Sequence, residues 1–326
     1  MSELKCASFF SGVGGIDLGF EQAGFETIWA NEFDPAPCET FRLNSKAELV
    51  EGDVRKIPAS EIPDFDVMLA GFPCQAFSVA GNRKGFDDDR GNLFFELERI
   101  FLEKKPRIIF LENVKNLATH DHGNTFRVIS EKLKDAGYHA KHKVLNACDY
   151  GNVPQNRERI YVVGFLDEKT CERFEFPERI PLTTKISDVV DMDSKFDDKY
   201  YYVPERFGRE RYDELVSARD RLPDTVYQWR RVYARENRSF LCPTLTANMG
   251  GGGHNVPIVS TKNGFRKLTP RECFRMMGYP DDFKLPKQGD SKLYKQAGNS
   301  VVVPVIRRIA EKVAEALEES PQKIEP

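Results

Sequence analysis

Cys6-Ala7-Ser8-Phe9-Phe10-Ser11-Gly12-Val13-Gly14-Gly15 is a short apolar run that ends in a glycine cluster, and helical spacing follows over residues 16–23. A strand that turns through glycines directly into a helix leaves backbone N–H groups open to a ligand at the helix N-terminus. The same alternation continues outward. Residues 27–31 read as a second strand and 35–44 as a second helix. Residues 67–71 and 107–112 are apolar runs of the kind buried on both faces, 93–102 and 125–136 carry helical spacing, and 160–165 is a further strand. Strands alternating with helices predict a doubly wound α/β fold with a mostly parallel sheet covered on both faces.

The chain has 326 residues, enough for one large domain or two modest ones. Lys and Arg number 48 against 51 Asp and Glu, so the net charge is −3. Bulk-charge binding of nucleic acid is thereby excluded, but a locally basic cleft is not. A composition 40% hydrophobic and 30% charged is that of a soluble globular chain. No apolar stretch approaches the about 20 residues of a membrane helix, and Met1-Ser2-Glu3-Leu4-Lys5 lacks a signal pattern. Seven cysteines without a Cys-x-x-Cys pair argue against a disulfide scaffold or a structural zinc site and point to the reducing cytoplasm.

The α/β rhythm is lost after residue 165. Residues 166–198 hold 5 Lys/Arg against 10 Asp/Glu, a net −5, and read as a solvated connector. Residues 199–240 reverse the balance, 10 against 7, with Tyr200, Tyr201, Tyr202, Tyr212, Tyr227, Trp229 and Tyr233 interleaved. Core packing is the preferred reading of these tyrosines. The tetraglycine 250–253 suits a close backbone approach or a plain turn. Helical periodicity resumes at Thr269-Pro270-Arg271-Glu272, where Thr before Pro starts a helix, and a last helix spans about 304–317.

Four elements carry chemistry. Glu32 ends the second strand, about where an acidic residue holds ribose in nucleotide-binding α/β folds, and Asp53 follows the third on the same sheet edge; the plain alternative is a tight turn with two solvated carboxylates. Gly71-Phe72-Pro73-Cys74-Gln75 comes straight off a buried strand. A cysteine there is either a small buried hydrophobe or a crevice nucleophile. Gly81, Gly85 and Gly91 among Arg83, Lys84 and Arg90 favour the second reading, as a cationic lid with glycine hinges. Glu112-Asn113-Val114 ends another buried strand on the same edge and offers a tuned acid. In Gln155-Asn156-Arg157-Glu158-Arg159 the alternation aims both guanidiniums to one side, as a clamp or as structural ion pairs.

In this order, with Arg271-Glu272, Gly278-Tyr279-Pro280 and Gln296-Ala297-Gly298-Asn299-Ser300 after them, the motifs resemble those of bacterial restriction–modification DNA (cytosine-5) methyltransferases over essentially the whole chain. The resemblance implies the S-adenosylmethionine-dependent methyltransferase type of fold with a smaller inserted DNA-recognition domain. Residues 1–176 would be the first part of the catalytic domain, 177–267 the target-recognition domain, and 268–326 the return to the catalytic domain. It further implies methyl transfer to carbon 5 of a flipped-out cytosine in duplex DNA. Cys74 would add to carbon 6, Glu112 would hold the ring nitrogen and amine, Arg157 would grip the base carbonyl, and Arg159 would be a further catalytic residue. For S-adenosylmethionine it implies Phe10 on the adenine, Gly12, Gly14 and Gly15 in the turn, Glu32 on the ribose, and Asp53 with Val54 near the adenine amine. Phe33 stands where a tryptophan is frequent, and Pro73, Leu93 and Asn299 also match cofactor-pocket positions.

DNA contacts are implied at Ser78, Arg83, Lys84 and Arg90 on the lid side. Arg230, Arg231, Arg235, Arg238 and Thr244, the last in a Thr-Leu signature, are implied on the recognition side. Arginine serves guanine and phosphate alike, so the sequence leaves open which of these read bases. His254 keeps no metal spacing with another His or Cys, and no metal is expected. The expected protein is a cytoplasmic, nucleoid-associated monomer, free of membrane, that acts on double-stranded DNA. A cognate restriction endonuclease would act on the same site without stable contact. The related tRNA-methylating branch carries Pro-Pro-Cys and Cys-Phe-Thr, whereas here Phe72 precedes Pro73 and Cys273-Phe274 runs into Arg275. A catalytically silent DNA-binding regulator is disfavoured by intact Cys74, Glu112 and Arg157.

Overall fold

The computed structural model describes residues 4–73, 93–230, 233–251 and 256–318. The chain divides into two compact units. The first joins Met1–Leu145, Glu158–Glu178 and Val305–Pro326, and the second joins Asn146–Arg157 and Arg179–Pro304.

The first unit is built on seven strands: β1 (Lys5–Phe9), β2 (Glu26–Glu32), β3 (Glu48–Glu51), β4 (Val67–Ala70), β5 (Ile108–Val114), β6 (His139–Asn146) and β7 (Glu158–Phe165). Their order is β3-β2-β1-β4-β5-β7-β6. Pairings from β3 through to β5 are parallel, and β7 runs antiparallel to β5. All of β4 and all but the last residue of β5 are buried, as expected of strands covered on both faces. The doubly wound α/β expectation therefore holds. The strand order reverses between β1 and β4, which marks the carboxyl ends of those two strands as the crevice of the sheet.

Local chemistry fixes the helices beside that crevice. Gly14, at φ 84°, caps the helix Gly15–Glu21 in a left-handed conformation that a side chain would strain. Asp34 accepts from the N–H of Ala36 at 3.0 Å and Pro35 opens the helix Pro35–Asn44. At Gly19 an added Cβ would stand 2.5 Å from Cγ2 of Ile306, so the C-terminal part of the chain packs on the glycine-turn helix only because this residue has no side chain.

The second unit centres on an antiparallel sheet ordered Tyr233–Glu236, Val226–Arg230, Ile258–Thr261, Gly264–Lys267. The helix Arg209–Arg221 covers it, closing a core of Leu215, Ala218, Tyr227, Ala234, Ile258 and Phe265. The expected helix at Thr269 is present as Pro270–Arg275, with a full capping box between Thr269 and Glu272. Among the described residues no helix is long and apolar enough to cross a membrane.

One buried acid makes the stability of the first unit depend on pH. Asp17, 2% exposed, accepts from Ser8 Oγ at 3.0 Å, and burial pushes its carboxyl up to about 7. The unfolded chain releases this proton near pH 4, so the folded state binds it more tightly and loses stability as pH rises from about 4 to about 7. Asp17→Asn should melt at a higher temperature than wild type at pH 8, and the gap should shrink on acidification to pH 5. Thermal melts across that range measure it, and a constant gap would contradict the account.

Candidate active site

The crevice of the first unit is assembled from strand ends. The β1 end turns sharply, with Phe10 at φ 54° and Gly12 at φ 57°. The Glu32 carboxylate at the end of β2 ties that turn down. Its Oε2 accepts from Gly12 N at 2.8 Å, and its Oε1 accepts from the N–H groups of Phe33 and Asp34 at 2.8 Å each. Beside it, Asn31 Nδ2 donates to the carbonyls of Val50 and Gly52, both at 2.9 Å, which fixes the loop leaving β3. Asp53 in that loop caps the short turn Val54–Lys56. Its carboxylate pairs with the Arg55 guanidinium at 2.6 Å, and that hydrogen bonding holds it below the usual carboxylate range. Val54 is buried, Leu93 half-buried and Pro73 exposed, while Phe33 is left 69% exposed beside Glu32.

The β4 and β5 ends meet next to this turn. A Cβ on Gly71 would lie 3.3 Å from Ile16 Cδ1 and 3.6 Å from Glu112 Oε2, so the Glu112 carboxylate stands against the backbone three residues before Cys74. Asn113 Nδ2 donates to the Phe72 carbonyl at 2.9 Å, clamping the chain as it leaves β4. Glu112 is 9% exposed and meets Arg159 Nε at 3.1 Å. The register explains the pair: Arg159 lies opposite Val114, two residues along from Glu112 on one face.

Arg157 behaves differently from Arg159. Its guanidinium, 3% exposed, donates to the carbonyls of Leu245 at 2.7 Å, Gly298 at 3.0 Å and Ser300, all within the second unit. Backbone carbonyls at the ends of two remote segments capture it, while Arg159 goes to a carboxylate. Gln155 adds to this knot, donating to Met276 O at 2.7 Å and accepting from Leu245 N at 3.2 Å. The Thr244 hydroxyl donates to Asn156 O at 2.6 Å. Asn299 is exposed in the second unit.

Of the anticipated DNA-contacting residues, Arg230 and Arg235 are exposed on one hairpin, and exposed Arg238 pairs with Glu236 at 3.4 Å. Cys74, Ser78, Arg83, Lys84, Arg90 and Arg231, the lid glycines, and residues 252–254 lie outside the described residues. Sequence reasoning assigned no role to Asn31 or Asn113. The available signal was a polar amide closing an apolar strand beside an acid.

The family model for C-5 cytosine-specific DNA methylases matches residues 4–315, and the chain belongs to that family. It is 57% identical over 318 residues, 96% of this chain and 99% of the relative, to the type II methyltransferase M.Bsp6I of Bacillus sp. (strain RFL6). It is 39% identical to the type II methyltransferase M.HhaI of Haemophilus parahaemolyticus, covering 98% of this chain and 97% of that one. The solved structure of the Entamoeba histolytica methyltransferase EhMeth superposes with a TM-score of 0.75 at 19% identity, covering 98% of this chain and all of that one, a likeness of fold.

The partners of Arg157 set its expected phenotype. Arg157→Ala leaves buried carbonyls without donors, so it should cost at least about 3 kcal/mol of stability, at about 1–3 kcal/mol for each unsatisfied group. Urea denaturation measures it. A variant that is fully stable yet inactive would instead make Arg157 a substrate ligand.

Proposed function

We propose that this chain transfers a methyl group from S-adenosylmethionine to carbon 5 of a cytosine flipped out of duplex DNA, within a defined target sequence, as a restriction–modification methyltransferase. The observation that carries the reading is the Glu112 carboxylate held against the Gly71 backbone, paired with Arg159, at the reversal point of the sheet and directly ahead of Cys74.

The residues present fit S-adenosylmethionine. The glycine turn opens N–H groups at a helix start, Phe33 offers an exposed aromatic face for the adenine, and Phe10 lines the same turn. A carboxylate has about four lone-pair sites, and Glu32 spends three on the backbone, which leaves Oε2 able to accept from a ribose hydroxyl. When bound, the cofactor supplies an electrophilic methyl group. Gly12, Gly14, Gly15, Asp53, Val54, Pro73, Leu93 and Asn299 complete the proposed cofactor residues.

Carbon 5 of cytosine is a poor nucleophile in the intact ring. The Cys74 thiolate adds to carbon 6, and the electron pair of the ring double bond becomes available at carbon 5. Glu112 holds ring nitrogen 3 protonated and accepts from the exocyclic amine, so the charge of the adduct is met by a fixed group. Arg159 steadies Glu112 and donates to the base carbonyl, a reading supported by its pairing with Glu112. After transfer, loss of the carbon 5 proton expels the thiolate and restores the ring. Residues 177–267, of which 179–267 lie in the second unit, form the recognition segment that selects the DNA sequence. The host compartment is the bacterial cytoplasm, the enzyme acts as a monomer on the nucleoid, and an endonuclease cutting the same unmethylated site would complete the system.

Tritiated methyl transfer to duplex DNA against tRNA tests the substrate, and transfer to tRNA alone would overturn it. Cys74→Ala should abolish transfer and covalent capture on 5-fluorocytosine DNA while retaining DNA binding. Glu112→Gln should lose rate by roughly 100-fold or more with unchanged cofactor affinity. Glu32→Ala should weaken S-adenosylmethionine binding by about 1–3 kcal/mol in calorimetry.

A further inference from the structure

The hairpin of the second unit departs from the sheet that supports it. Strand Tyr233–Glu236 pairs with Val226–Arg230 over its full length, from Tyr233 opposite Arg230 to Glu236 opposite Tyr227. The third strand, Ile258–Thr261, reaches only Val226 and Tyr227 among the described residues. Residues 228–230 and 233–235 therefore form a two-stranded ribbon that pairs with no further strand among the described residues. Its two faces differ. Trp229 and Ala234 sit opposite each other and pack on the core under the helix Arg209–Arg221. The alternate pairs, Gln228 with Arg235 and Arg230 with Tyr233, point the other way; Arg230, Tyr233 and Arg235 are exposed and Gln228 is half-buried.

We infer that this ribbon face reads base edges in the DNA major groove, and that Arg235, aimed by Gln228, is its guanine-reading residue; the inference rests on the proposed DNA methyltransferase function. A two-stranded ribbon is an element the major groove admits, and an arginine fork matches the two acceptors of guanine, O6 and N7. What separates a reader from a phosphate contact is prior orientation. Arg235 Nη2 donates to Gln228 Oε1 at 3.2 Å across the ribbon, which fixes the guanidinium plane and leaves its other donors for a base. Arg230, at the end of its strand, is exposed with no side-chain partner among the described residues, and so suits the DNA backbone. Arg238 is drawn to Glu236 and stands off the face. Gln228 and Tyr233 thus join the recognition surface although neither carries charge.

The test begins with wild-type protein and plasmid DNA, where bisulfite sequencing maps the methylated site and reports on the methyltransferase function by itself. Duplexes bearing that site are then made with each guanine in turn replaced by 7-deazaguanine, which lacks the N7 acceptor. Values of kcat/KM are compared for wild type, Arg235→Ala, Arg235→Lys and Gln228→Ala. One replacement should cost wild type about 5- to 150-fold, the discrimination of a bidentate pair. Arg235→Ala should lose a similar factor on the natural site and be insensitive to that same replacement. Arg235→Lys should fail to rescue, because an ammonium lacks the fork. Gln228→Ala should lose less, at the same guanine. If Arg235→Ala stays as sensitive as wild type to every replacement and its salt slope falls by about one, Arg235 is a phosphate contact and the inference is overturned. Unchanged kinetics for all three variants would take the ribbon off the DNA. A wild type that methylates no duplex would overturn the methyltransferase function itself, and the ribbon's role with it.

Discussion

The Glu32 carboxylate is the constraint on which the first unit turns. A chain that leaves a buried strand through Phe10 and Gly12 in left-handed conformations presents backbone donors that the sheet cannot satisfy. Glu32, at the end of the neighbouring strand, accepts from Gly12 and from its own following residues Phe33 and Asp34. One side chain thereby fixes the β1 exit and the β2 exit to each other, and the helix starting at Gly15 inherits its direction. Asn31 does the same for the β3 exit through two carbonyls, and Asn113 for the β4 exit through the Phe72 carbonyl. The β1, β3 and β4 exits are each held by a side chain from the strand beside it, and the β2 exit by its own Glu32.

The second unit uses buried arginines for the same purpose. Arg266 and Glu272 are 0% and 1% exposed and meet through contacts of 2.7 Å, while Glu272 also accepts from Thr269 and Asp191. Removing two charges from water is unfavourable, and such a pair is sustained only if nearly every donor and acceptor is used. Here the carboxylate serves the arginine, a helix cap and a loop at once, which ties the strand Gly264–Lys267 to the helix that follows it. Arg157 has carbonyl partners at Leu245, Gly298 and Ser300, so it joins the Gln155–Asn156, Thr244–Leu245 and Gln296–Ser300 segments in one unit.

Much of the first unit is legible because its strands are continuous apolar runs bounded by glycine, proline or acid. The helix Pro35–Asn44 was readable to the residue, since Asp and Pro announce its start. The antiparallel sheet of the second unit was not. Its strands are four or five residues long and partly exposed, and their alternation is hidden among arginines, of which Arg230 and Arg235 face solvent while Arg266 is buried. The tyrosines there divide accordingly: Tyr200, Tyr201, Tyr202 and Tyr227 are buried as core, and Tyr233 is exposed on the ribbon. The partners of Arg157 were illegible for another reason. Backbone carbonyls have no signature in sequence, so alternation alone suggested a clamp shared with Arg159.

Glycines in the motifs show how far residue type underdetermines role. Gly250 opens the tetraglycine that suited either a close approach to DNA or a turn, yet an added Cβ would lie 2.9 Å from the Tyr294 ring and 3.1 Å from Ser291 Cα. It is an internal packing position. Gly298 is more constrained still, because a Cβ would stand 2.2 Å from the backbone carbon of Thr246. That contact brings the Gly298 carbonyl within reach of Arg157, whose other donors hold Leu245 and Ser300. The missing side chain and the buried guanidinium are two halves of one device: the first lets two backbones touch, and the second satisfies the carbonyls that the contact would otherwise strand. Neither residue touches the reacting base in this account, and both are needed for the two segments to meet.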